Sequence, residues 1–151
     1  MSIQIGDKCP SFTLLNQHNE EINIDEYIGK KNLVIYFYPK DDTPGCTKEA
    51  CSFRDQFEVF HSLDTEVIGI SSDSPVKHKE FAERHRLNFM LLSDQHKEVR
   101  KAFGVPNNLF GLLPGRVTYI IDRDGIVRGF YNSQTDPLGH ISKALDTLKS
   151  L

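Results

Sequence analysis

With 151 residues, 38% hydrophobic and 26% charged, the chain has the composition of an ordinary globular protein; its length predicts a single domain over 1–151 that buries a core without disulfide staples or a structural metal. A net charge of −3, with Lys and Arg scattered among Asp and Glu, argues against nucleic acid as a partner. No run approaches the ~18 apolar residues of a membrane span, and the first residues lack the charged start and apolar stretch of a signal peptide. The expectation is a soluble cytoplasmic protein with no membrane contact, although an organelle protein without its transit segment would read the same.

In chain order, Phe12–Leu15 and Glu21–Asn23 predict a short hairpin around the polar turn Asn16–Asn19. Leu33–Tyr38 is continuously apolar or aromatic and closed by Pro39, the pattern of a strand buried on both faces. From Thr43 to about Ser62, Ala50, Phe53, Phe57 and Phe60 recur at helical spacing, with Glu49, Arg54, Asp55 and Glu58 assigned to the polar face. Val67–Ile70 is a strand, Ser74-Pro75 opens a helix to about Arg86, and Phe89–Leu92 is a further strand. A helix near Lys97–Phe103 precedes strands Val117–Ile121 and Ile126–Tyr131, joined across Arg123-Asp124-Gly125. The last helix starts at Asp136-Pro137 and carries Leu138, Ile141, Leu145 and Leu148 on one face. A parallel βαβ half followed by a ββα half predicts an α/β, thioredoxin-like fold: a central mixed β-sheet flanked by helices, with an N-terminal β-hairpin. The segment from Gly104 to Gly115, with Phe110, Leu112 and Leu113, is apolar for a connection and reads either as a functional loop or as core packing.

The three cysteines, Cys9, Cys46 and Cys51, do not form a disulfide framework, which leaves catalytic, metal-binding or inert roles. Thr43 and Pro44 start the long helix as cap and first residue, which puts Cys46 in its first turn. There the helix dipole and free N–H groups favour a thiolate by about 0.3–1 kcal/mol, a modest effect that Asp41 and Asp42 oppose if their carboxylates approach the sulfur. A cation is therefore required. The loop after Leu33–Tyr38 lies at the carboxyl end of the parallel strands, and an antiparallel strand beginning at Val117 starts at that same end. Arg116, at its entrance, is the candidate cation.

These residues resemble a known active-site pattern. Pro39 to Cys46 (PKDDTPGC) is similar to that of the peroxiredoxins, with Pro, Thr and Cys at fixed intervals, and Cys46 to Cys51 (CTKEAC) resembles the bacterioferritin-comigratory or peroxiredoxin Q subgroup. Gly6 to Phe12, Arg116 to Tyr119 and Asp122 to Gly125 extend the resemblance over almost the whole chain. It implies a thiol-dependent peroxidase that reduces hydrogen peroxide and organic hydroperoxides. Cys46 would be the peroxidatic cysteine, Thr43 a hydrogen-bond partner of the peroxide, Pro39 a shield over the thiolate, and Arg116 its cation. Cys51 would be the resolving thiol of an intrachain disulfide, recycled by thioredoxin or a similar dithiol, with no cofactor and no metal, in a monomer or weak homodimer. Cys9 departs from the family, which commonly has alanine there, and reads as a packing residue or a third redox thiol.

Two features bear on this reading. Five residues of ideal helix separate the cysteines by ~7.5 Å of rise and ~140° of rotation, so a disulfide needs local unwinding. Rival readings are a disulfide oxidoreductase, disfavoured because C-x-x-C is absent, a redox-sensing module, and a metal-binding thioredoxin-fold module. The six histidines do not cluster in sequence, and those on helices read as solvated or capping.

Overall fold

Alternating side chains of one apolar strand divide the molecule into two cores. The computed structural model describes the backbone of residues 2–108 and 113–151 and, residues 107–108 and 113–114 apart, their side chains. The elements are β1 (Thr13–Asn16), β2 (Glu21–Asn23), β3 (Asn32–Phe37), α1 (Pro44–Asp55), α2 (Phe57–Ser62), β4 (Thr65–Ser71), α3 (Pro75–His85) and β5 (Met90–Ser93). There follow α4 (Glu98–Phe103), β6 (Asn107–Asn108), β7 (Leu113–Pro114), β8 (Val117–Ile121), β9 (Val127–Asn132) and α5 (Pro137–Lys149). Seven strands form a mixed sheet in the order β2-β1-β5-β4-β3-β8-β9. β3, β4 and β5 run parallel, while β8 is antiparallel to β3, and β1 is antiparallel to both β2 and β5.

In β3 every second residue points to the same face. Val34 and Tyr36 join Cys46, Ala50, Phe53, Phe60, Phe81, Ile141, Ala144 and Leu148, so α1, α2, α3 and α5 cover that face. Leu33, Ile35 and Phe37 join Val99 and Phe103 of α4, with Ile24 and Cys9 from the N-terminal segment, on the other. This is the α/β, thioredoxin-like architecture that the order of elements predicts.

Two expectations are corrected in detail, and a third lies largely outside the described residues. The helix expected over 43–62 is two: Gln56, with ψ near 11°, leaves helical geometry, so α1 packs along α5 while α2 turns onto β4. One straight helix could not reach both, and Phe57 is only half-buried beside His61. Leu138, expected on the apolar face of α5, is exposed in its first turn, and Ala144 takes its place in the core. Phe110 and Leu112 of the questioned segment lie outside the described residues, as does the side chain of Leu113; around them β6 and β7 pair antiparallel.

The sheet register places the site. Phe37, the last residue of β3, pairs with Val117, the first of β8. Whatever follows Phe37 therefore emerges beside whatever precedes Val117, which brings the loop before α1 next to Arg116.

Candidate active site

The loop from Tyr38 to Thr43 is held by buried polar contacts. The Tyr38 hydroxyl donates to Asp41 Oδ1 at 2.5 Å, His78 Nδ1 lies 2.6 Å from Asp41 Oδ2, and the Asp41 N–H donates to Asp73 Oδ2 at 2.8 Å. Asp42, at φ 64°, supplies the left-handed turn that leads into α1 and pairs with Arg84. Both carboxylates that could have opposed a thiolate are thus engaged elsewhere. Arg100, buried under the loop, donates to the carbonyls of Tyr38 (3.4 Å) and Gly115 (3.2 Å), tying the residue before Pro39 to the residue before Arg116.

Thr43 has the extended backbone of an N-cap and Pro44 is the first helical residue, as expected. The Thr43 side chain does not cap the helix, however: Oγ1 donates to the Lys40 carbonyl at 2.9 Å, while the Thr43 carbonyl accepts the first helical bond, from the Thr47 N–H. Thr43 therefore leaves the first-turn N–H groups of α1 without a cap from its own side chain. Pro39 is half-buried beside this entrance.

Cys46 is 1% exposed, and Arg116 Nη2 donates to its sulfur at 3.4 Å across seventy residues of chain. The approach depends on Gly45, since a Cβ there would sit 2.9 Å from Arg116 Nη2. The guanidinium is held on its other sides by Glu49 Oε1 at 2.7 Å and the Gln134 carbonyl at 3.3 Å. Burial acts to lower the Arg116 pKa, but Glu49 and Cys46 outweigh it and the net shift is upward. Glu49, assigned by sequence to the polar face of α1, is 0% exposed. Burial pushes its carboxyl up to about 8 against the opposing pull of Arg116. Behind it, His140 accepts from Thr118 Oγ1 at Nδ1 and donates from Nε2 to the Ser133 carbonyl, each at 2.8 Å.

His78 and His140 are both fully buried, which corrects the solvated or capping reading for these two. Asp41, Asp73 and His78 bring ligand-type atoms within 4.8 Å of one another. Those atoms are already hydrogen-bonded: His78 Nδ1 to Asp41, and Asp73 Oδ2 to the Asp41 N–H and the Ser71 hydroxyl. Shared protons account for the cluster.

Of the residues singled out by sequence, Cys46, Thr43, Pro39 and Arg116 gather at the helix start. Cys51 is half-buried one and a half turns along α1, and all three cysteines are free thiols. Cys9 is buried on the opposite core; burial first, then the charge of Asp25, pushes its thiol up to about 12. Sequence reasoning missed Gly45, Glu49, Arg100, His78 and His140. For Glu49 a signal existed, because it lies three residues after Cys46 and so shares its helix face.

A buried thiol against a guanidinium at a helix start, on a thioredoxin-like sheet, defines a class of thiol enzymes. The chain belongs to the AhpC/TSA family, which it matches over residues 5–130. It is 50% identical to the chloroplastic peroxiredoxin Q of Populus jackii over 97% of this chain and 68% of that one, and 49% identical to that of Sedum lineare over 97% and 78%. Among solved structures, peroxidoxin BcpB of Mycobacterium tuberculosis superposes with a TM-score of 0.90 at 36% identity, covering 99% of this chain and 98% of that one. The bacterioferritin comigratory protein of Xanthomonas campestris, described for its alkyl peroxide reduction activity, superposes at 0.83 with 29% identity over 92% and 90%. The protein is a peroxiredoxin of the peroxiredoxin Q and bacterioferritin-comigratory type, a thiol-dependent peroxidase.

Proposed function

We propose that Cys46 is the peroxidatic cysteine and that its thiolate attacks the terminal oxygen of hydrogen peroxide or an organic hydroperoxide. The observation that carries this reading is the 3.4 Å contact between Arg116 Nη2 and the buried Cys46 sulfur in the first turn of α1. As the S–O bond forms and the O–O bond breaks, negative charge moves onto the departing oxygen. Arg116 and the first-turn N–H groups are donors fixed before reaction, which is how such charge is stabilised most effectively. The Thr43 hydroxyl has already given its hydrogen to Lys40, so it offers lone pairs, the complement of the hydroperoxide O–H. Pro39 shields the same entrance from water. The substrate class fits the alkyl peroxide reduction described for the Xanthomonas campestris relative.

The product is a sulfenic acid on Cys46, which condenses with the Cys51 thiol to a disulfide and releases water. Five residues of intact helix hold the two sulfurs apart, so α1 unwinds locally before the bond forms. A thioredoxin-like dithiol then restores both thiols. The working unit is a single domain, monomeric or weakly dimeric, in a compartment that keeps thiols reduced; the cytoplasm and a plastid stroma both qualify.

Peroxide consumption coupled to a thioredoxin system tests the assignment. Cys46→Ser should abolish turnover, and peptide mapping of oxidised wild type should find Cys46 joined to Cys51 within one chain. Turnover surviving in Cys46→Ser, or disulfides only between chains or through Cys9, would overturn it.

A further inference from the structure

We infer that Glu49 holds the proton which Cys46 gives up on ionising, and releases it when Cys46 is oxidised, so that Arg116 always faces a single anion. The inference rests on Cys46 being the nucleophile and assigns a positioning residue that acts through Arg116.

The geometry is that of one cation between two acids. Arg116 gives Nη1 to Glu49 Oε1 at 2.7 Å and Nη2 to Cys46 Sγ at 3.4 Å, and all three side chains are buried. The second carboxyl oxygen, Glu49 Oε2, has no hydrogen-bond partner among the described residues. His140 Nδ1 lies 3.6 Å from it, beyond hydrogen-bond length. Nε2 of that imidazole donates to the Ser133 carbonyl, so Nε2 carries the proton and Nδ1 takes the Thr118 hydroxyl hydrogen. His140 is therefore satisfied as a neutral ring and has no proton to offer Oε2. Burial, the larger influence, holds its pKa down at about 4, in agreement with that tautomer.

The other groups packed around the carboxyl do not supply a second cation. Tyr36 of β3, in register with Thr118, is a buried phenol without a hydrogen-bond partner among the described residues. From the last helix and its cap come His140 and Asp136, whose carboxylate caps α5 at the Gly139 N–H and accepts from the Tyr131 hydroxyl of β9. A bare oxygen in these surroundings disfavours the carboxylate, as the raised Glu49 pKa of about 8 also indicates. Two neutral arrangements then exist around Arg116: thiolate with carboxylic acid, or thiol with carboxylate. They differ only in which acid holds the proton.

Reaction selects between them. The thiolate attacks, an S–O bond forms and the O–O bond breaks; sulfur is oxidised and the peroxide reduced. The departing oxygen leaves with the electron pair and becomes alcohol or water by gaining one proton. Cys46 is now a neutral sulfenic acid, so Arg116 favours the Glu49 carboxylate, and the proton Glu49 loses equals the one the departing oxygen gains. The count closes with no proton drawn from bulk solvent.

The test uses the full chain carrying Cys51→Ser, which stops at the sulfenic acid, with and without E49Q. Gln keeps the contact to Arg116 but cannot titrate. The ultraviolet thiolate absorbance of Cys46, taken as the difference from Cys46→Ser, should rise with pH in two steps with Glu49 and in one step, complete at lower pH, with E49Q. Superimposable curves would overturn the proposal. A readout that needs no folding of E49Q is infrared difference spectroscopy of the Glu49 protein near neutral pH: a protonated-carboxyl band should disappear on adding one equivalent of peroxide. A band that is absent or unchanged would overturn it equally. Peroxide turnover that survives Cys46→Ser would instead refute the nucleophile assignment, so the two failures are distinguishable.

Discussion

Arg116 is asked to do what the helix start cannot do alone. Removing one fixed donor at a site of developing negative charge typically costs about 10²–10³ in rate. Arg116→Ala should therefore lower the second-order rate of peroxide reduction by about that factor, and Arg116→Lys should not restore it, because an ammonium cannot reach Cys46, Glu49 and the Gln134 carbonyl together. Glu49 also ties stability to pH. Its folded pKa of about 8 lies above the usual 4.5, so the native state holds more protons between those values and its stability falls as pH rises through them. His140, lowered from 6.5 to about 4, acts in the opposite sense and is finished by about 6.5. Between pH 6.5 and 8 the comparison with E49Q isolates the Glu49 contribution, so wild type should lose stability relative to E49Q on denaturant titration across that interval. At this scale Cys46 and Arg116 were legible, one from its place after Thr43-Pro44-Gly45 and the other from strand topology. Glu49 was legible only from its place three residues after Cys46, because a charged residue on an amphipathic helix otherwise reads as solvated until its buried partner is known.

The helix α1 carries both thiols of the proposed cycle, Cys46 and Cys51, together with Glu49 of the Arg116 pair. Cys46, Ala50 and Phe53 are its buried row, and Glu49 adds a polar contact to the same side. Unwinding the turns between Cys46 and Cys51 therefore disrupts the Arg116–Glu49 pair as well as freeing the half-buried Cys51. Hydrogen exchange should register it: amides from Cys46 to Ser52 should exchange faster in the oxidised protein, while α2 and β4 keep their protection. Phe53, stacked on Tyr36 with ring centroids 4.6 Å apart, anchors the other end, and Phe53→Ala should cost about 3–5 kcal/mol in equilibrium unfolding. Strands β3 and β8 were read from their apolar runs to within a residue, since burial on both faces leaves a pattern that no loop imitates. The interruption at Gln56 left none, because its cause is the different directions in which α5 and β4 lie.

Across the whole molecule the sheet separates Cys9 from Cys46. Cys9 belongs to the core of β3, β8 and α4, while Cys46, on α1, belongs to the core that α1 and α5 form on the other side. With its thiol pushed up to about 12, Cys9 should resist alkylation in the native protein, and mass mapping should find it labelled only after denaturation. Fold class, helix-start thiol and distant cation were all visible in element order, since parallel strands and one antiparallel return dictate which ends meet. The buried contacts of Asp41 with His78 and of Glu49 with Arg116 were not, because they join residues 37 and 67 positions apart that only packing brings together.

Gln56 also sets a boundary on what oxidation can undo. The ladder of α1 stops there and restarts in α2, so the proposed Cys46–Cys51 bridge should disturb one segment only, as a firebreak confines a burn. Within that segment the coiled backbone and the bridge compete for the same residues, and linkage makes the competition reciprocal. Each tenfold gain in the stability of the coiled form should make the bridge easier to reduce by about 30 mV. The driving force for renewal is thus drawn partly from the fold itself, and a helix-strengthening substitution on the exposed side of α1 would retune the enzyme's redox poise without touching its sulfur chemistry.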